Sequence, residues 1–277
     1  MSGNSAVVVI TGAGGMGRAC ARRMGSGRRL LIADNSAASV DAVVESLRID
    51  GFNVEGMVVD VRDSAAVVVL ASKAAALGRI SAVVHTAGVS PTMADADTII
   101  AVDLVGTANV IDAFEAVVGA GCVGVCIASM AGTITALASD VERRLATAPT
   151  SDLPISGAEL GISDPSQAYG YAKRANQLRV EAAASRWGRR GARIVSVSPG
   201  IISTGMGHQE LGSETFGGVI QQMIDASPVG RIGTADDIAA AVDWLCSPAA
   251  SLITGTDLLL DGGTAATMRW SSPSLHG

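Results

Sequence analysis

Aromatic and charged residues are scarce in this chain. Phe, Trp and Tyr make up 3% of the 277 residues, and Asp, Glu, Lys and Arg only 17%. Of the 20 basic residues just two, Lys73 and Lys173, are lysines, and there are only two tyrosines. With a net charge of −6 and neither a basic face nor aromatic platforms, the composition excludes a nucleic-acid binder. The paired arginines (Arg22-Arg23, Arg28-Arg29, Arg143-Arg144, Arg189-Arg190) are dispersed and read as solvated helix faces. Cysteine is sparse too. Cys20, Cys122, Cys126 and Cys246 form no C-x-x-C motif and have no histidine nearby, so they read as small buried residues in a reducing compartment and no metal site is expected. No unbroken apolar run reaches the roughly 20 residues of a membrane span. The uncharged stretch from Ala116 to Ser139 is interrupted by Gly119, Gly121, Gly124 and Gly132 and reads as a helix end, a turn, a buried strand and a loop. No basic leader precedes the first apolar run, which points to a soluble cytoplasmic protein.

What is present is apolar: 48% hydrophobic residues and 33 glycines, enough for one large packed domain and incompatible with a disordered chain. Ala6 to Ile10 is a run of mostly β-branched residues ending at a glycine turn, the pattern of a fully buried strand. Similar runs lie at Leu30–Ala33, Gly56–Val59, Ile80–Val84, Cys122–Ala128, Arg193–Val197 and Asp257–Leu260. Helical spacing separates them, at Arg18–Met24, Val40–Leu47, Ala65–Leu77, Val105–Val118 and Ile238–Leu245. Asp63-Ser64 supplies a helix start and Gly78 a stop. This alternation predicts an α/β fold: a single Rossmann-type domain over residues 1–277, a doubly wound parallel sheet with helices on both faces. Its ligand crevice is expected at the C-terminal ends of the strands. Two excursions break the rhythm, Thr133 to Gln167 and the glycine-rich Gly200 to Pro228, which read as an insertion and a substrate lid.

The first strand runs into Thr11-Gly12-Ala13-Gly14-Gly15-Met16-Gly17 and then a helix. Glycines there permit a tight turn and let backbone N–H groups approach a pyrophosphate at a helix N-terminus. Asp34 ends the second strand, where a carboxylate binds both ribose hydroxyls of NAD and repels the extra phosphate of NADP. Tyr169 and Lys173 stand four apart, on one helix face. Random placement would yield only about 0.014 such pairs, so the pairing carries information. A phenol ionises near pH ~10, and a neighbouring ammonium lowers that value toward what proton transfer at neutral pH requires. Tyr171 has Ala175 four residues on and cannot play this part. Ser129 ends the fifth strand and projects into the same crevice.

These residues resemble the short-chain dehydrogenase/reductase family over almost the whole chain, roughly Val7 to Arg269. The likeness rests on the glycine turn, Asp34, Asp60-Val61, Ala87-Gly88, Ser129, Tyr169-x-x-x-Lys173, Pro199-Gly200 with Thr204, and Asp261-Gly-Gly263. The resemblance implies hydride transfer between NAD(H) and a secondary alcohol or ketone. Tyr169 is then the general acid/base, Ser129 binds the reacting oxygen, and Lys173 binds the nicotinamide ribose and lowers the Tyr169 pKa. Gly12, Gly14, Gly15, Met16 and Gly17 cradle the pyrophosphate. Asp60 and Val61 contact adenine, while Thr86, Ala87 and Gly88 line the ribose. Pro199, Gly200, Ile202 and Thr204 hold the nicotinamide end. A small-molecule partner is implied, with no nucleic acid and no membrane, in a homodimer or homotetramer.

Three departures from the family pattern stand out. The glycine turn is one residue shorter, with only Ala13 and Gly14 between Gly12 and Gly15. Asp103, before Leu104-Val105-Gly106, occupies the place of an Asn that holds a water in the family's proton relay. Asp103 reads either as an active-site residue tuning that relay or as a helix cap. Third, 40 residues separate Ser129 from Tyr169, an excess that resembles the 3α-hydroxysteroid dehydrogenase/carbonyl reductase branch. There the insertion covers the helix face used for tetramer assembly, which implies a dimer joined differently. A non-catalytic dinucleotide sensor with the same fold is the alternative reading. A nucleotide-sugar epimerase is disfavoured by the short chain after Gly200. His85 reads as a structural or cofactor-side residue, His208 as a solvated lid residue and His276 as part of a tail. Ile201, Ile202, Met206, Leu211, Phe216 and Ile220 give the lid an apolar character, suited to a steroid-like substrate.

Overall fold

A computed structural model describes residues 6–213, 217–225 and 227–270. In chain order the elements are β1 Val7–Thr11, α1 Gly15–Met24, β2 Arg29–Asp34, α2 Ala37–Ile49, β3 Asn53–Val58, α3 Ser64–Leu77, β4 Ile80–His85, α4 Ala96–Ile99 and, after a π-helical segment Ile100–Gly106, α5 Thr107–Glu115. Next come β5 Val123–Ile127, α6 Met130–Ile134, α7 Ser139–Thr147, α8 Gly157–Leu160, α9 Pro165–Arg189 and β6 Arg193–Pro199. The C-terminal part holds β7 Ile202–Ser203, α10 Gly205–Leu211, α11 Gly217–Asp225, β8 Gly233–Thr234, α12 Ala235–Cys246, β9 Asp257–Leu260 and α13 Thr264–Trp270.

Seven parallel strands form one sheet in the order β3-β2-β1-β4-β5-β6-β9. All seven apolar runs of the sequence are its strands. The order reverses between β1 and β4, so the crevice opens beyond their C-terminal ends. Strand residues alternate between two cores. Val8, Ile10, Leu30 and Ile32 face α1, α2 and α12, whereas Val7, Val9, Leu31 and Ala33 face α3, α5 and α9. Asp63 caps α3 by accepting from Ala65 N and Ala66 N, and Gly78 ends it at φ 149°.

The Thr133–Gln167 excursion is not irregular. It contributes α7, α8 and a third core, in which Leu145, Leu153 and Ile162 pack onto Ile99, Ile100 and Leu104 and onto Ala168, Ala172 and Ala175 of α9. Arg179 of α9, 5% exposed, anchors it by donating to Leu145 O and Ala148 O at 3.1 Å each and to Thr150 Oγ1 at 3.1 Å. The insertion therefore covers α9 with the chain's own residues. The Gly200–Pro228 excursion contains β7, α10 and α11, and β7 pairs with β8 in a small second sheet. Among the described residues, no helix is long and apolar enough to cross a membrane.

Candidate active site

At the end of β1, Gly12 adopts φ +97°, and a Cβ there would lie 2.6 Å from Ala87 N. A Cβ on Gly17 would overlap Gly12 O, so the turn and the first turn of α1 touch backbone to backbone. Gly14 caps α1 without a side-chain acceptor, which leaves the helix N-terminus to an outside anion. Asp34 closes the other wall. Its carboxylate accepts from Ala13 N at 2.7 Å and Ser36 N at 2.9 Å, tying the shortened turn to the end of β2. Thr86 Oγ1 donates to Thr11 O and Gly12 O at 3.0 and 3.1 Å. Together these groups line a cleft of about 460 Å³ that also includes Asp60, Val61, Ala87, Gly88 and Thr204. The Asp60 carboxylate is engaged by the Arg62 guanidinium at 2.6–3.0 Å, which holds it below the usual carboxylate range.

A second cavity of about 240 Å³ adjoins this cleft, sharing Met16, Thr204 and Met206 with it. Ser129 and Tyr169 both line the second cavity. Ser129 stands in extended backbone at the end of β5 and caps α6, accepting from Ala131 N at 3.1 Å. Tyr169 projects from the first turns of α9, which Asp164 caps through Ser166 N and Gln167 N. Gly132 brings the two helices together, because a Cβ there would come within 2.6 Å of the Lys173 backbone. Small residues thus place Ser129 beside Tyr169 although 40 positions separate them.

One turn along α9, Lys173 Nζ lies 5.3 Å from the Tyr169 ring centroid. Lys173 is 5% exposed and lines neither cavity; Gly88 stands against it, where a Cβ would be 3.2 Å from Nζ. Asp103 Oδ2 pairs with Lys173 Nζ at 3.2 Å, and Oδ1 accepts from Val89 N at 2.9 Å. Asp103 is fully buried inside the π-helical segment, not at a helix end. The capping alternative is thereby overturned: its acceptor bond goes to a loop amide. Burial pushes the Asp103 carboxyl up, against the pull of the ammonium. For Lys173, burial favours the neutral amine, but the Asp103 carboxylate and Tyr169 outweigh it and leave the pKa raised.

His85 is 1% exposed and lines neither of these two cavities. The Thr107 hydroxyl donates to Asp103 O at 2.7 Å, so His85 Nε2 donates to Thr107 Oγ1 at 3.0 Å and Nδ1 accepts from Thr11 Oγ1 at 2.6 Å. Burial, with Lys173 nearby, depresses its pKa to about 3, and the imidazole is neutral.

Pro199, Gly200 and Ile202 line the second cavity and not the glycine-turn cleft, while Thr204 borders both. Ile201, Met206 and Ile220 of the Gly200–Pro228 excursion reach the second cavity; Leu211 does not, and exposed His208 bonds Ser203 Oγ at 3.0 Å instead. Phe216 and His276 lie outside the described residues. Pro91, Thr92, Met130, Ser166 and Met223 also line the cavity and were not singled out from the sequence. Only Met223 left a trace there, three residues after Ile220 on one face of α11.

Family models described as "short chain dehydrogenase" and "Enoyl-(Acyl carrier protein) reductase" match residues 6–139 and 152–265. A short-chain dehydrogenase/reductase of Alternaria brassicicola, bsc3, is 36% identical over 95% of this chain and 97% of its own length. The chain belongs to the short-chain dehydrogenase/reductase family. It is an oxidoreductase of that fold, and the family binds nicotinamide dinucleotides. The 3-alpha-hydroxysteroid dehydrogenase/carbonyl reductase of Comamonas testosteroni is 32% identical over 37% of this chain and 39% of its own. Among solved short-chain dehydrogenase/reductase folds, levodione reductase superposes with a TM-score of 0.74 at 26% identity, covering 94% of this chain and 98% of that one.

Proposed function

We propose that the chain is an NAD-dependent dehydrogenase/reductase interconverting an apolar secondary alcohol and its ketone. The observation carrying this reading is the shared cavity. Ser129 and Tyr169 open into a space whose lining, among the described residues, has no Asp, Glu, Lys, Arg or His, and which adjoins the glycine-turn cleft. A charged substrate would find no opposite charge there to replace its hydration, whereas an apolar, steroid-like skeleton would meet the mostly apolar lining of Met16, Met130, Ile134, Ile201, Ile202 and Met223.

The cradle fits a dinucleotide. The backbone of the Gly12–Gly17 turn, where a Cβ would clash at Gly12 and Gly17, would hold the pyrophosphate, and Asp34 would hold the ribose hydroxyls, its charge disfavouring the 2′-phosphate of NADP. When bound, the nicotinamide supplies or accepts the hydride. Ser129 Oγ hydrogen-bonds the reacting oxygen and orients it toward Tyr169. As phenolate, Tyr169 Oη takes the alcohol proton; as phenol it returns that proton to the carbonyl oxygen. Lys173 stabilises the phenolate electrostatically from 5.3 Å behind the ring.

Mixing the protein with NAD or NADP and a panel of apolar cyclic alcohols, linear alcohols and polyols, then following nicotinamide absorbance, tests the reading. Turnover is expected with NAD and the apolar cyclic members. Tyr169→Phe is expected to lower kcat by about 10²–10⁴-fold. Full activity in that variant would disprove the assigned chemistry, and NAD binding without turnover on any panel member would favour a sensor.

A further inference from the structure

The mechanism so far gives no task to a second buried charge, the Asp103 carboxylate. Its surroundings are built around Lys173. Val89 N donates to Oδ1 at 2.9 Å, while buried Oδ2 faces the ammonium at 3.2 Å. Gly88 makes the room, since a Cβ there would stand 3.1 Å from Oδ1 and 3.2 Å from Nζ. The other groups facing the pair carry no charge at neutral pH. From β4, His85 is neutral; from β5, burial pushes the Cys126 thiol up to about 12. On α9 itself, Arg174 turns away to Glu142 at 2.7 Å. Tyr169 therefore responds to two neighbouring formal charges of opposite sign.

Taking Tyr169 as the proton-transfer group, as above, we propose that Asp103 is a positioning residue that pins the Lys173 ammonium by direct ion pairing and moves the working range of Tyr169 to higher pH. The physical reason is additive electrostatics. A lone ammonium favours the phenolate, and a carboxylate beside it cancels part of that field. At an effective dielectric of about 20, a unit charge a few ångströms away is worth about one pH unit or more. The same carboxylate keeps Lys173 charged at alkaline pH, where an unpaired buried amine would lose its proton. Both limits of the working range rise together.

The chain's scarcity of tyrosine makes a direct test possible. Tyr171→Phe leaves Tyr169 as the only tyrosine, so the phenolate absorbance of that variant titrates one residue without turnover. Adding Asp103→Asn, which keeps the acceptor for Val89 N, is expected to raise the Tyr169 acid dissociation constant about tenfold, one pH unit. Asp103→Glu in the same background restores the original titration. The acid limb of kcat/KM for alcohol oxidation moves down by the same amount in Asp103→Asn, and an alkaline limb appears as Lys173 discharges. If Asn prevents folding, Asp103→Ser removes the same charge and is read identically. A Tyr169 titration unchanged by loss of the carboxylate overturns the proposal. A shifted titration in a protein that turns over no alcohol leaves it standing and sinks the enzymatic reading instead.

Discussion

Asp34 acts at two levels through one carboxylate. It accepts two backbone amides, Ala13 N and Ser36 N, and so stiffens the wall of the cleft while presenting negative charge to it. A charge-assisted bond of this kind contributes about 1.5–3 kcal/mol in favourable settings. Asp34→Asn keeps one carbonyl acceptor and removes the charge. NAD is expected to bind about tenfold more weakly, and the preference for NAD over NADP to shrink, both read as dissociation constants by fluorescence titration. An unchanged preference would mean that Asp34 does not select the cofactor. Glycine works differently at the same scale. Gly17, Gly88 and Gly132 are each present for a contact that a Cβ would obstruct: helix on turn, loop on ion pair, helix on helix.

Among the elements, α9 carries the most. Its first turns present Tyr169 and Lys173, its apolar stripe of Ala168, Ala172 and Ala175 receives the insertion, and Arg179 anchors that insertion from beneath. The buried guanidinium also lies 3.8 Å from Asp112, which accepts from Thr150 Oγ1 at 2.5 Å. Replacing Arg179 with Met strands two carbonyls and a hydroxyl without their donor. A cost of about 1–3 kcal/mol is expected, seen as a lower unfolding midpoint, with faster amide exchange across residues 139–153 and little change in the Gly12–Gly17 turn. Equal exchange in wild type and variant would show that the apolar contacts of Leu145 and Leu153 hold the insertion alone. The insertion was visible in the sequence as excess length between Ser129 and Tyr169. Its helices were not, because α7 and α8 are short and polar on one side, and are stabilised by packing against distant segments, α7 on α9 and α8 on α4.

For the molecule as a whole, His85 links the switch point of the sheet to its stability. It joins the end of β1, through Thr11, to the first residue of α5, Thr107. In the folded chain its pKa is about 3, against 6.5 for an ordinary imidazole. Below pH 6.5 the unfolded chain therefore binds a proton that the native chain refuses. This contribution to stability is complete above pH 6.5 and is lost as pH falls from 6.5 toward 3, by up to about 1.4 kcal/mol per pH unit. Buried Asp103 and Asp257, whose carboxyls burial pushes up, oppose that slope. The difference between wild type and His85→Asn isolates the imidazole: denaturation midpoints measured at about pH 7 and about pH 5 should fall less in the variant. Parallel curves would show that His85 is not the acid-sensitive group.

The alternation of apolar runs with helical spacing determined, without tertiary information, the seven strands and the parallel sheet they form, because a strand buried on both faces must be apolar throughout. Local geometry was legible too: a glycine turn between strand and helix, an acid ending the next strand, and Tyr169 and Lys173 one helical turn apart. The tertiary structure alone decided what meets what. It set Asp103 against Lys173, seated the neutral His85 between two threonines, and brought Met130 and Met223 into one cavity with Ser129. Those contacts cross tens of residues, and no period or spacing encodes them. They exist because the crossovers of a doubly wound sheet return distant segments to the same strand ends.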